Sequence, residues 1–294
     1  MAYFYDIRTN QIALSKSYLL NGAAIEFKIG PDPDGKALII KAAQPHIVDI
    51  KQKLIPNKPG WQIISVTGKA LGTAVLQGYI ETSSASPGRS SQLRCTACIP
   101  LMTVEVLPKM EWPDQNSEVG ALARMLVAEN ITPHDKYGRY KEEDSLKSMQ
   151  WMRNVLENRL AFSHPHLLQV PSGVRSLLPL IKSRGVVEGF KSYPDIGVSQ
   201  KKVIDSTLSI ANNVRDPKFM QYRIYMQNAI AVAKGEKRGV DPCSTKLYAW
   251  RTAGPNSSPG VNFIKFQTLA GQDFYTLTPG FIENPLHPTQ VKKN

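Results

Sequence analysis

The 294 residues exceed the usual size of one domain, and a hydrophobic fraction of 42% with 20% charged residues is that of an ordinary soluble globular protein. No run approaches the roughly 20 apolar residues of a membrane-spanning helix. The opening MAYFYDIRTNQ lacks the basic and apolar regions of a secretory leader, so neither an integral membrane protein nor a standard secretory precursor is expected. Thirty-six Lys and Arg against 24 Asp and Glu leave a formal charge of +12, which favours a polyanionic partner such as nucleic acid, membrane surface or acidic cell wall.

Through about residue 108 the chain is written in short strand-like runs, at 2–7, 24–29, 37–41, 61–66, 73–80, 93–99 and 103–107. Turn chemistry at PDPDG, PNKPG and SSASPGRSS separates them. The alternation from Val66 to Ile80 and the closing run 103–107 predict a β-sandwich, loosely resembling bacterial immunoglobulin-like domains. Cys95-x-x-Cys98 falls in the run QLRCTACIP and reads as buried thiols of a strand, since a structural zinc site needs a second pair and only Cys243 remains.

MEWPDQNS, at 110–117, marks the boundary, and the period then becomes helical. Ser117 is placed to cap a helix with apolar Val119, Leu122, Ala123 and Leu126. Further helices are predicted at 144–160, 172–184, 199–213 and 216–234, the one at 172–184 bent or split by Pro179. Strands are predicted at 247–250, 262–266 and 273–277. The expected class is α+β with several domains: an all-β sandwich at 1–110, a linker at 111–117, a mainly α domain with a small sheet at 118–283, and a loose tail at 284–294.

Glu129 falls at the end of the first helix on its apolar side, three residues after Leu126. Burial and the negative end of the helix dipole both favour its protonated form, the state a general acid needs. An ordinary helix-end glutamate paired with a nearby Arg or Lys satisfies the same pattern. His164-Pro165-His166 has no partner cluster and reads as a surface loop rather than a metal site. No G-x-S-x-G elbow, P-loop or H-E-x-x-H occurs, and neither a metal nor a cofactor is expected. The basic residues are spread through both halves without a groove-reading motif, which argues against nucleic acid as the partner.

Several phrases in order carry a family resemblance: Leu122 to Glu129; the apolar helix with Met149, Met152 and Val155 ending in Asn158-Arg159; Val174 to Leu178 and Glu188-Gly-Phe190; Asp241 to Tyr248; and Gly271 to Tyr275. The order, across about 118–277, resembles the SleB-type cell wall hydrolases, the spore-cortex lytic group with lysozyme-like domains. Asn130-Ile-Thr-Pro stands where the family has Ala-Arg-Gly-Glu, Val187 stands near the family's Gln, and the terminal His is replaced within Gln272-Asp273.

The resemblance implies cleavage between N-acetylmuramic acid and N-acetylglucosamine, as a muramidase or a lytic transglycosylase, with Glu129 as acid/base. Glu188 and Phe190 would line the sugar groove, flanked by Tyr248 and Tyr275; for each of these four a salt-bridge or core role is the alternative. Asp135, Asp144 and Glu188 are the candidates for the second carboxylate that a hydrolase would need. The biological expectation is an antibacterial effector made without its own leader, delivered by a type VI secretion apparatus to the wall of a target cell. Its partners would be glycan strands, a secretion component and a cognate immunity protein. A phage lysis enzyme and an inactive glycan- or protein-binding module are the alternatives.

Overall fold

The computed structural model describes residues 3–13, 15–32, 34–82, 92–95, 101–255 and 258–286. Cys98 and most of the tail expected at 284–294 lie outside these residues. The chain divides into two compact units, Met1–Lys109 and Met110–Asn294.

Among its described residues the first unit holds nine strands: β1 (Phe4–Asp6), β2 (Lys16–Leu20), β3 (Ala24–Ile29), β4 (Ile39–Ala42), β5 (Val48–Leu54), β6 (Gln62–Gly68), β7 (Gly72–Thr82), β8 (Gln92–Cys95) and β9 (Met102–Leu107). One sheet has the order β1-β3-β6-β5; the other runs β2-β9-β7-β4, with β8 also paired to β7. β2 and β9 pair in parallel, Lys16 opposite Thr103. Period-two alternation fixes which side chains turn inward. In β6 these include Ile64 and Val66, in β9 Met102, Val104 and Val106, and they join one apolar cluster with Phe27, Leu19 and Leu76. The sequence reading misses β2 and β5. In β5 only Val48 is buried while Lys51, Gln52, Lys53 and Leu54 are exposed, so an edge strand with one buried residue has little alternation to find.

The second unit contains α1 (Glu118–Glu129), α2 (Glu142–Ala161), a 3-10 turn (Pro165–Leu168), α3 (Leu177–Ile181), α4 (Val198–Ala211), α5 (Phe219–Lys234), β10 (Ala249–Thr252), β11 (Phe263–Leu269), β12 (Gln272–Leu277) and α6 (Pro279–Glu283). Ser117 caps α1, its hydroxyl accepting from the Gly120 N–H at 2.9 Å. Burial runs nearly all the way round α1, which packs against α3, α4 and α5. Met110, read as the end of the sandwich, belongs to this unit: it is buried and Asn212 bonds its N–H and C=O at 2.7 and 2.9 Å, while in the stretch read as a linker Trp112 has the Arg124 guanidinium 5.6 Å from its ring.

Arg153 on α2 is buried and donates to the carbonyls of Val232 and Ala233 at the carboxy end of α5, while pairing with Glu157 at 2.8 Å. Its charge thus meets the negative end of that helix. The closing sheet has the order β10-β12-β11, with every residue of the central β12 buried. Ala270 and Gly271, both at positive φ (46° and 69°), make the two-residue turn between β11 and β12. A Cβ at 271 would also lie 2.6 Å from Ile131 Cδ1, so a larger residue there would displace that side chain.

This architecture corrects the expected one. The described residues form a mixed α+β protein of six α-helices and twelve strands in three sheets, strands first, then helices, then a small sheet. Among its described residues less than half of the second unit is helical, and the predicted helix 172–184 shrinks to the five residues of α3 around Pro179. Gly173, Gly185 and Gly189, all at positive φ, break the flanking chain into turns. What the elements support is this coarser mixed α+β description, in place of the expected sandwich followed by a mainly α lysozyme-like domain.

Among the described residues no helix is long and apolar enough to cross a membrane.

Candidate functional site

Glu129 is the last residue of α1 and is held by three tethers. Asn130, which ends the helix, is buried and donates to the Ser145 carbonyl at 2.9 Å, fastening the chain to α2. Gln272 of β12 donates to the Glu129 carbonyl at 2.7 Å, and Trp250 of β10 donates its indole N–H to the Glu129 carboxylate at 3.3 Å. The first two bonds fix the backbone; the third aims the side chain.

The carboxylate faces a cavity of about 670 Å³, walled by β10, the segment from Arg184 to Lys191 and the turn around Leu168. Burial pushes the Glu129 carboxyl from its ordinary 4.5 up to about 7. The Trp250 hydrogen bond opposes this, the negative charge of Glu188 adds to it, and Arg251 opposes it. A part-buried carboxylic acid that keeps its proton to near neutrality, at a cavity wall, is equipped to donate it.

Of the other expected residues, Glu188 lines the same cavity and is exposed. Phe190 does not line it: the ring is fully buried, stacked on Tyr193 at 5.8 Å, and belongs to the core. Tyr248 and Tyr275 are also buried and away from the lining; Tyr248 packs edge-on to Phe162 at 5.5 Å in a satellite cluster with Leu168 and Leu277. The aromatic rings that do reach the cavity are Trp250 and Phe263. Asp135 is bound to Arg139 at 2.8 and 3.1 Å, which holds its carboxyl down near 2, and neither it nor Asp144 lines the cavity. His164 and His166 face each other edge-on at 6.1 Å, and among the described residues no three His, Cys, Asp or Glu side chains cluster as a metal site would require.

Sequence reading missed Trp250 and the cations Arg159, Arg184, Lys191 and Arg251. The signal for Arg159 was present in the Asn158-Arg159 phrase. Asn158 donates to Asp241 at 2.6 Å and to the Leu247 carbonyl at 2.8 Å, and Arg159 donates to the Tyr248 carbonyl at 2.7 Å. Asp241 in turn accepts from the N–H groups of Cys243 and Leu247, both at 3.0 Å. Phrases some 80 residues apart in sequence are thereby stitched into one wall.

No protein-family model matches the chain, and no curated protein matches it. Among solved structures it is similar to the S-layer protein rSbsC(31-844), with 11% identity and a TM-score of 0.24 over 34% of this chain and 13% of that one. SbsC domains 4 and 5 give 13% identity and a TM-score of 0.21 over 31% of this chain and 47% of theirs. The solution structure of amebosin gives 13% and 0.22 over 31% of this chain and 88% of that one. The chain thus spans less than half of the S-layer chains it matches, and likenesses at this level assign neither fold nor function.

Proposed function

We propose that the second unit cleaves the glycan strands of bacterial peptidoglycan between N-acetylmuramic acid and N-acetylglucosamine, with Glu129 as acid/base. The observation that carries this reading is a carboxyl held near pKa 7 at the wall of a sugar-sized cavity, beside an indole that both bonds it and lines the same space. The ordered resemblance to SleB-type hydrolases supplies the substrate class, and the Asn158–Asp241 and Arg159–Tyr248 bonds give its separate phrases a shared structural purpose.

Glu129 gives its proton to the glycosidic oxygen as the bond from C1 to that oxygen breaks. In the anhydro-forming route its carboxylate then takes the proton of the muramic acid C6 hydroxyl while O6 bonds to C1. In a hydrolytic route Glu188, the other carboxylate lining the cavity, activates water instead. Arg251 offsets the negative charge that appears on Glu129 after proton transfer.

Incubation of the full chain with insoluble peptidoglycan, followed by mass spectrometry of the soluble muropeptides, tests the reading. Anhydro ends identify the first route and reducing ends the second. Binding without release of fragments would instead make this a glycan-holding module. We extend the reading to an antibacterial effector delivered by a type VI apparatus; target killing that persists in an attacker lacking that apparatus would reject the delivery route.

A further inference from the structure

The cavity has a charge pattern that cleavage of a neutral glycan does not require. Four cations line it, Arg159, Arg184, Lys191 and Arg251, against two carboxylates, Glu129 and Glu188. Among the described residues the ion pairs of this unit are made by Arg139, Arg153, Lys201, Lys234, Arg238 and Lys265, and by none of these four.

Arg159 is the informative member. Its side chain is buried, 8% exposed, its Nε is committed to the Tyr248 carbonyl, and its Nη1 has no hydrogen-bond partner. Burial first, and the like charge of Arg251 second, lower its proton affinity to about 10. Two guanidiniums that repel each other at a cavity wall, one of them buried, constitute a cost that a bound anion removes.

We propose that Arg184, Lys191 and Arg251, with the buried Arg159, form an anion subsite that takes a carboxylate carried by the glycan next to the bond that Glu129 attacks. The proposal rests on the glycan reading and narrows it to acidic strands. Two sources supply that chemistry. The lactyl ether of muramic acid ends in a free carboxylate when no peptide is attached, and an attached stem peptide converts it to an amide while bringing carboxylates of its own.

The experiment uses the full-length Glu129→Gln chain, which leaves the cations in place and prevents turnover. Isothermal titration calorimetry compares a neutral N-acetylglucosamine oligomer, a peptide-free alternating oligomer with muramic acid, and the same oligomer carrying stem peptides. At least one acidic oligomer is expected to bind about tenfold or more tightly than the neutral one, the size of one charge-assisted hydrogen bond. The tighter of the two acidic ligands identifies the source of the carboxylate. Adding Arg184→Ala and Arg251→Ala, both exposed residues, should remove most of the preference. Equal affinity for all three, or a preference that survives the double substitution, overturns the subsite and leaves the glycan reading standing. Failure to bind any of them, with no muropeptides released by the unsubstituted chain, overturns the glycan reading itself.

Discussion

The two units bury different things. In the first, the described buried polar side chains are Asp32 and Gln62, each bonded to backbone: Gln62 donates to the Leu38 carbonyl at 2.5 Å, and Asp32 accepts the N–H groups of Asp34 and Lys36 on Oδ1 at 3.0 and 2.6 Å, its buried Oδ2 having no partner among the described residues. In the second, Arg153, Arg159, Arg223 and Asp273 are buried. Paired sheets satisfy their own backbone, whereas helices joined by long turns leave carbonyls and loop ends that charged side chains must hold. Of these four, Arg159 lines the cavity.

The strongest way to break this contrast is Glu129→Gln, which keeps volume and removes the titratable proton. Muropeptide release should fall by at least about a hundredfold with the fold intact by circular dichroism. Near-normal release would remove Glu129 from the chemistry.

Its counterpart in the first unit is Ile64→Ala, a truncation within a fully buried strand face. Chemical denaturation should show a loss of about 2–4 kcal/mol, while release per folded molecule in the full chain stays unchanged. A drop in turnover there would show that the two units do not divide the labour this way.

Stability against pH sharpens the comparison. The Glu129 carboxyl is raised from 4.5 to about 7, so the native state holds this proton more tightly than the unfolded chain does. The resulting penalty is absent below the ordinary value, grows as pH rises through the interval, and is complete above about 7. Glu129→Gln should therefore be more stable than the parent at about pH 8.5, by on the order of 2 kcal/mol, and no different near pH 4. Melting curves at the two pH values check this, and equal curves at both would contradict the burial argument.

The smallest effects are two opposed shifts of the alkaline limb of the pH–rate profile. Trp250→Phe removes the bond that favours ionised Glu129 and should move the limb upward, whereas Glu188→Gln removes a repelling charge and should move it downward. Each shift should be under about one pH unit, and Glu188→Gln should cost less turnover than Glu129→Gln. Shifts of the same sign would reject the electrostatic account of the site.

Helix phase and capping made α1 legible, because Ser117, the apolar spacing and the position of Glu129 are local properties of one segment. The cavity was not legible in the same way. Phe190, Tyr248 and Tyr275 are large aromatics in suggestive phrases, yet each is spent on packing, while Trp250 lines the space from a strand whose facing only the β10–β12 register reveals, Trp250 standing opposite Phe274. Arg184, Lys191 and Arg251 are surface-type residues in sequence and acquire meaning only from sharing a wall. Nor does alternation announce β5, whose charged residues belong to a sheet edge.

The bond from Gln272 to the Glu129 carbonyl joins residues 143 positions apart, and the indole that touches the carboxylate comes 121 positions later. Burial raises the proton affinity of Glu129 while that indole, Glu188 and Arg251 adjust it, so the value is not a property of the helix alone. While α1 is newly made and β10 and β12 have yet to follow, that glutamate stands in water with the ionisation of any free carboxylate. The raised proton affinity comes from burial in the folded unit, so on the proposed reading a nascent or truncated chain would carry the residue without the acid.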